Sequence, residues 1–427
     1  MEQAVAYSTL ALTVTLAVSQ PRLGWPRVRI TPGMAALFGV LVLLLTGLLT
    51  PADMLSSAVI QWRPLVALAS IMVMTGVVHE VGAFDRLADA LERVARRTTP
   101  ARAFTLVFAA SVVTPSLLNN DAAIVLLTPL VVRVTRRLYP NDPELTVAFA
   151  FAVFLAPGVA PFFVSNPMNM IVAEFAGISW LGYSARMVPV SLACALVTFS
   201  VMRIVFGRAL ARARTAPARA EGDNVVPLRP AQVVALGTLV AVFLASTVVG
   251  ALGGAIWVVP FAGAVASVTF AARSERDLAP RALRHVSTDI LVFLWGVFLV
   301  VVGLRHVGVV DRLGSLYTTL PQGSAREIGG IGGMAALGSA IVDNHPMALL
   351  NMLALGGDRP NALLAALVGG DLGPRLLPIG SLAGLLWMEI LRRNGVRISV
   401  GRFVRVGVLA LAPALVVSLS LLYFFRG

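Results

Sequence analysis

Two short polar clusters interrupt segments that otherwise suit lipid or a dry protein interior: Asn119-Asn120-Asp121 and Asp343-Asn344-His345. Burying acids, amides and an imidazole in such surroundings is costly, and within membranes such groups are kept where they handle protons or a polar solute. Asp121, Asp343 and His345 are therefore the candidate proton-coupling groups. Asn119, Asn120 and Asn344 offer neutral donors and acceptors and are candidate solute contacts. The competing use of the same residues is to cap helix ends, for which Asn and Asp are well suited.

Two further stretches carry polar groups at points where a helix cannot continue. "APGVAPFFVSNPMNMIVAEF", residues 156–175, holds three prolines that remove backbone donors and free carbonyls. Ser165, Asn166 and Asn169 stand at that break as candidate solute-binding groups, and Glu174 lies toward the expected external interface. "GGDLGPRLLPIGSLAGLLW", residues 369–387, is a second break. There Asp371 and Arg375 are four apart, the spacing of a local ion pair on a helical turn. Gly380 and Ser381 are candidate solute contacts, since glycine lets a ligand approach the backbone closely. Glu389, Asp289 and His79 fall near predicted span ends and are expected to be solvated.

The elements that must position these groups are membrane helices. The 427 residues are 58% hydrophobic and 13% charged, far from soluble usage, and several apolar runs approach the roughly 20 residues that span a bilayer. The fold class is an all-α polytopic membrane protein. Motifs recur in order: "VGAFDRL" at 81–87 and "VGVVDRL" at 307–313, "LLNN" at 117–120 and "IVDN" at 341–344, Pro157 and Pro161 and then Pro374 and Pro378, and "IS" at 178–179 and 398–399. The chain therefore reads as two related halves, 1–207 and 231–427, joined by an Arg-, Ala- and Pro-rich cytoplasmic linker, 208–230.

Each half is expected to contain five transmembrane helices and one re-entrant hairpin, with broken helices at the midplane. In the first half the segments are 4–19, 33–50, 64–80, the hairpin 103–137, the broken segment 145–177, and 187–207. In the second they are 231–249, 253–272, 289–304, the hairpin 326–357, the broken segment 361–391, and 403–425. An odd number of crossings turns the second half upside down, which makes the two inverted repeats. The formal charge of +13 comes from 34 basic residues, all arginine, and most of them fall in segments that this topology places in the cytoplasm. Both termini are then outside the cell membrane. Residues 84–97 form an amphipathic helix on the cytoplasmic interface, with Phe84, Leu87, Ala88, Leu91, Val94 and Ala95 on its apolar face.

"LLNNDAAIVLLTPLV", "VSNPMNMI" and above all "GGDLGPRLLPIGSLAGLLWMEILRRNGVRIS" resemble the ArsB-type arsenite/antimonite efflux transporters of the ion transporter superfamily, over nearly the whole chain. The resemblance implies a proton-coupled antiporter of the inner membrane that expels trivalent arsenic or antimony hydroxides and can also partner an ArsA-type ATPase. Where that family more often has a second asparagine pair, this chain has Asp343-Asn344-His345. Trivalent arsenic bound as a soft ion would need several thiolates, and Cys194 is the only cysteine. The neutral trihydroxide, held by hydrogen bonds, suits these residues better.

On the same scaffold a sodium/proton antiporter could use Asp121 and Asp343, and an organic anion carrier could use Arg375. An intramembrane aspartyl protease would need glycine at position 368, where the chain has Val368. With no lysine there is no phosphate-binding loop, so any ATP coupling must come from another subunit. No cofactor, resident metal or nucleic-acid partner is expected. The inverted topology predicts that a cytoplasm-only reporter inserted after Ala220 is active, whereas activity at the C-terminus with none at Ala220 would refute it.

Overall fold

The computed structural model describes residues 2–23, 28–117, 120–162, 165–213, 227–252, 254–255 and 257–425. Helix dominates. The first half comprises α1 (Glu2–Ser19), α2 (Pro32–Leu45), α3 (Pro51–Glu80), α4 (Ala83–Arg96), the hairpin α5 (Pro100–Leu117) and α6 (Asn120–Leu138), the interrupted pair α7 (Pro143–Leu155) and α8 (Pro167–Phe175), and α9 (Trp180–Arg212). The second comprises α10 (Pro230–Ala251), α11 (Val258–Ser274), α12 (Leu278–Leu283), α13 (Thr288–His306), α14 (Val309–Thr318), the hairpin α15 (Ala325–Val342) and α16 (Asn344–Leu355), the interrupted pair α17 (Pro360–Leu372) and α18 (Leu382–Arg393), and α19 (Val400–Phe424). Apart from the short α12, and a two-residue antiparallel ribbon between α1 and α2 that pairs Arg22 with Arg29, the order of elements is the same in both halves.

Local chemistry accounts for where these helices begin. Proline, whose missing N–H costs nothing at a first turn, opens α2, α3, α7, α8, α10 and α17. Thr50 and Asp53 form a capping box on α3. The recurring Val-Gly motif has a conformational purpose: Gly82 before α4 and Gly308 before α14 both sit in the left-handed region, at φ 70° and 77°, and turn the chain sharply into each short amphipathic helix. Among the described residues, α3, α9, α10, the tract Leu278–His306 and α19 are long and apolar enough to cross a bilayer, while α2, α7 and α11 are shorter apolar helices. Large apolar side chains such as Leu45, Ile204, Leu196 and Leu252 point outward, as a lipid-facing surface requires.

Inside are two main cores. One gathers side chains from α1, α2, α3, α13 and α15–α17 with α8 and parts of α9 and α19. The other gathers α5, α6, α7 and α18 with the remainder of α9 and the start of α19. The second arm of each hairpin packs on the C-terminal piece of the other half's interrupted helix, α6 on α18 and α16 on α8. Helix α9 runs to Arg212, past the expected boundary at 207. Residues 214–226 of the linker lie outside the described residues, as do the side chains of Leu87, Ala88 and Leu91.

The pairing of α17 with α15 is made of small residues. A Cβ on Gly369 of α17 would collide with the Gly332 carbonyl of α15, and one on Gly373 would lie against the Ala336 carbonyl. Such glycine-lined contacts let helices approach to backbone distance where no water drives them together. Gly369→Leu is therefore expected to cost about 1–3 kcal/mol or more, because the obstacle is backbone that cannot swing aside. Gly329→Ala, which meets open space, is expected to be silent. Monodispersity and thermal unfolding of the detergent-purified variants check both.

Candidate functional site

Four helices begin at one place in the interior. The first residue of α6 (Asn120), the cap and first residue of α8 (Asn166 and Pro167), the first two of α16 (Asn344 and His345) and the cap of α18 (Ser381) line a single cavity of about 550 Å³, counting the space at its mouth. Ile124, Phe154, Pro157, Gly158, Asp371, Pro374, Arg375 and Ala383 complete its wall. Each helix brings unpaired first-turn N–H groups and the positive end of its dipole. Both hairpin tips and both breaks thus contribute to one chamber between the two cores.

Among the described residues, three of the four ends carry side-chain caps. Asn166 Oδ1 accepts from the Met168 N–H at 3.1 Å, and Ser381 Oγ accepts from the Gly384 N–H at 3.0 Å. Asp343 takes a left-handed φ of 78°, unusual for a residue other than glycine, and turns α15 into α16. Its Oδ1 accepts from the His345 N–H at 2.9 Å and lies 2.8 Å from His345 Nδ1. Its Oδ2 is buried without a partner among the described residues. Phe293 meets the His345 ring edge to face, with centroids 5.7 Å apart.

The carboxylate at the centre of the cavity's polar network is Asp371. Its Oδ1 accepts from Asn166 Nδ2 at 2.8 Å, and its Oδ2 accepts from Asn169 Nδ2 and from the Ala160 N–H, both at 3.1 Å. Tyr183 closes the network, accepting from Asn169 Nδ2 at 2.7 Å and donating to the Ala160 carbonyl at 3.1 Å. Every one of these donors belongs to the first half, so the acid near the end of α17 ties the two breaks together. None of them is a cation.

The ion pair expected between Asp371 and Arg375 is not formed. Helix α17 ends at Leu372, and the chain enters a 3-10 turn, Gly373–Arg375, so the helical spacing that would bring the two together does not hold. Arg375 is turned the other way and is only 3% exposed. It donates to the Leu155 carbonyl at 2.7 Å and to Thr198 Oγ1 at 3.0 Å, with Cys194 Sγ at 3.9 Å. Its fit depends on absent side chains: a Cβ on Gly158 would sit 2.9 Å from the guanidinium, and one on Gly407 would strike the Arg375 carbonyl.

Of the other residues singled out from sequence, Ser165 donates to the Ser116 carbonyl at 3.1 Å and anchors the first break to the first hairpin. Gly380 packs against Pro374, Ala340 and the Ser339 carbonyl, directly behind the cavity wall, and is not itself among its lining residues. Asn169 stands behind Asp371. Asn119 and the side chain of Asp121 lie outside the described residues. Glu174 pairs with Arg63 at 2.9 Å, and Glu389 pairs with Arg392 and Arg393 at the surface. Asp289 is not free in solvent, since it accepts from Thr31 Oγ1 and from the Gly33 N–H and so bridges α13 to α2. Tyr183 and Thr198 carry no signal in the sequence, since Tyr183 precedes the expected span 187–207 and Thr198 lies within it with no polar motif around either, and only the folded contact gives each a role.

A helical membrane fold with interrupted helices meeting at a polar interior cavity defines a transporter, in which discontinuous helices form the solute site. Likeness to known proteins narrows this. The profile of the family described as "Arsenical pump membrane protein" (ArsB) matches residues 5–426, and the chain belongs to that family. It is 28% identical over 435 residues to the arsenical pump membrane protein of Escherichia coli strain K12, covering 98% of each chain. It is also 28% identical to the arsenical pump membrane protein of Yersinia enterocolitica, again covering 98% of both. An uncharacterised transporter of Mycobacterium tuberculosis strain H37Rv is 28% identical over 422 residues, with 93% of this chain and 94% of that one covered. Among solved structures, the YdaH transporter of Alcanivorax borkumensis superposes with a TM-score of 0.58 over 99% of this chain and 98% of that one, at 16% identity, a likeness of fold alone.

Asn169 gives a direct test of the network. Asn169→Leu is similar in shape and removes one hydrogen bond each from the Tyr183 hydroxyl and Asp371 Oδ2, which keep their bonds to the Ala160 carbonyl and N–H. The expected loss is about 0.5–1.5 kcal/mol per hydrogen bond removed, seen as a lower midpoint of thermal unfolding in detergent.

Proposed function

We propose that the protein moves arsenite and antimonite out of the cell as the neutral trihydroxide, in exchange for protons. The observation that carries this reading is the composition of the cavity wall among the described residues: four helix N-termini, the amides of Asn120, Asn166 and Asn344, one carboxylate paired with neutral donors, His345, the engaged Arg375, and no thiol. A trihydroxide presents three hydroxyls, each both donor and acceptor. First-turn N–H groups and the amides of Asn120, Asn166 and Asn344 can donate to its oxygens, while Asp371 and the amide oxygens can accept from its protons. The buried Cys194 lies beside Arg375 and is not among the lining residues.

Proton exchange needs a carboxylate that can discharge. Asp121 and the Asp343–His345 pair keep the roles assigned from sequence, and Asp371 joins them because no cation holds it in its charged form. The sodium reading is weakened by the four positive helix ends, which oppose a cation. An organic anion would welcome those ends but would meet Asp371, and the guanidinium that could anchor it is engaged by Leu155 and Thr198. The matching element order, the cross-packing of α6 on α18 and α16 on α8, and the paired Gly82 and Gly308 turns support two related repeats. The inverted arrangement in the inner membrane, with both termini outside, rests on the distribution of the arginines. With no lysine in the chain, an ArsA-type ATPase, where used, is a separate partner.

Everted vesicles containing the protein are expected to accumulate arsenite and antimonite under a proton gradient, and to accumulate neither sodium nor citrate. Cys194→Ala should transport nearly as well as the parent. Asp371→Asn should still bind arsenite but lose uptake driven by the gradient, and Asp121→Asn should do the same. Full gradient-driven uptake by both Asp→Asn variants would reject Asp121 and Asp371 as proton carriers and leave the Asp343–His345 pair alone in that role, and loss of uptake in Cys194→Ala would return arsenic to thiol ligation.

A further inference from the structure

A second cluster of chemistry-bearing groups lies away from the cavity, where α3 ends against α12. Glu80, the last residue of α3, places Oε1 at 2.8 Å from His285 Nε2 and at 3.6 Å from His79 Nδ1. All three ligand atoms lie within 4.8 Å of one another. The other carboxylate oxygen, Oε2, accepts from Arg281 Nε at 2.9 Å, and Arg281 in turn reaches Glu275 at 2.8 Å. From this arrangement we infer a binding site for a divalent transition cation of the zinc class, with His79, Glu80 and His285 as its three protein ligands.

The geometry fits such an ion. Bonds of about 2.0–2.2 Å to nitrogen and oxygen place neighbouring ligand atoms of a tetrahedral site roughly 3.4 Å apart. The observed 2.8 and 3.6 Å separations bracket that value. Insertion of the ion replaces the hydrogen bond between His285 and Glu80, and the ring binds as the neutral imidazole with its proton on Nδ1, so that the Nε2 lone pair faces the ion. Two imidazoles and one carboxylate select a borderline metal over calcium or magnesium, which prefer all-oxygen shells. Three protein ligands leave a fourth position for water, and the half-exposed His79 keeps the site open to it.

Three features outside the ligand set support the site. Arg281 takes Oε2 and so turns Oε1 toward the two rings, the orienting part that an outer hydrogen bond plays around metal ligands. The charges of Glu80 and Glu275 exceed the single charge of Arg281, and the C-terminal end of the 30-residue α3 adds partial negative charge. The ligands also stand on a firm base. A Cβ on Gly76 would strike the Ala282 carbonyl and come within 3.0 Å of His285 Cβ, and Val77, Val78, Ala279 and Ala282 form a buried core beneath. The single cysteine excludes thiolate sites but leaves this one open. The bound ion would join the last turn of α3 in the first half to the turn between α12 and α13 in the second.

The test is zinc binding by the full-length, tag-free, chelator-stripped protein in detergent, followed by calorimetry and by the visible spectrum of the cobalt-substituted form. One equivalent of zinc is expected, with cobalt absorption of tetrahedral intensity. His79→Ala and His285→Ala should each weaken binding roughly tenfold or more and lower the cobalt intensity. His79→Ala leaves the Glu80–Arg281 pair in place, so folding is preserved and an unchanged monodisperse profile verifies it. The other two histidines, His306 and His345, lie elsewhere, and their alanine variants should bind zinc as the parent does. Absence of saturable zinc binding by the parent, or unchanged affinity in the His79→Ala/His285→Ala double variant, would overturn the proposal. Neither result depends on which solute the cavity carries.

Discussion

A helix interrupted inside a bilayer leaves several backbone donors and acceptors without partners, in a medium that supplies no water to satisfy them. In this protein the interruption occurs four times, and the four resulting N-terminal ends are brought to one chamber. Asn166, Ser381 and Asp343 each satisfy part of their own helix end. The capped ends themselves line or adjoin the chamber. The site and the remedy for broken helices are therefore the same set of atoms, and the surrounding packing exists to hold those ends together.

Asp371 is the clearest product of that arrangement. A carboxylate among converging positive helix ends needs no arginine beside it, and amides alone hold it in place. Arg375 is thereby released to act elsewhere, and it fills the backbone gap left after Leu155, where α7 stops. Gly158 and Gly407 yield the space it occupies. Two charged residues four apart in sequence thus serve two separate repairs, one on each side of the same turn.

Much of this could be read from residue types, and the reasons are local. Prolines mark where helices stop, paired polar clusters in apolar tracts mark hairpin tips, and the recurring Val-Gly-x-x-Asp-Arg-Leu motif marks the entry to α4 and α14. The grouping of both tips and both breaks around one polar region follows from the repeat. What stayed hidden was the wiring between breaks. Helical spacing pointed Asp371 toward Arg375, but the helix ends one residue after Asp371, and spacing rules lose their force there. Asn166 and Asn169 lie 205 and 202 residues before Asp371, and no pattern within either segment announces that they meet. Gly380 was read as a ligand contact because glycine permits close approach. It does permit one, but to Pro374 and Ala340.

The two proline pairs align the breaks at a fixed offset, and by that offset Asp371 stands where the first half has Phe154. Both line the chamber, and Phe154 is stacked on Trp387 with centroids 4.9 Å apart. One break thus gives the chamber wall an ionisable group, and the other gives it an aromatic ring held by stacking. However alike the two halves are in element order, the chamber they enclose is not chemically symmetric: exchanging the two breaks would exchange a carboxylate for a ring. Wetting an acid is favourable and wetting an aromatic surface is not, so water that enters the chamber meets unlike walls.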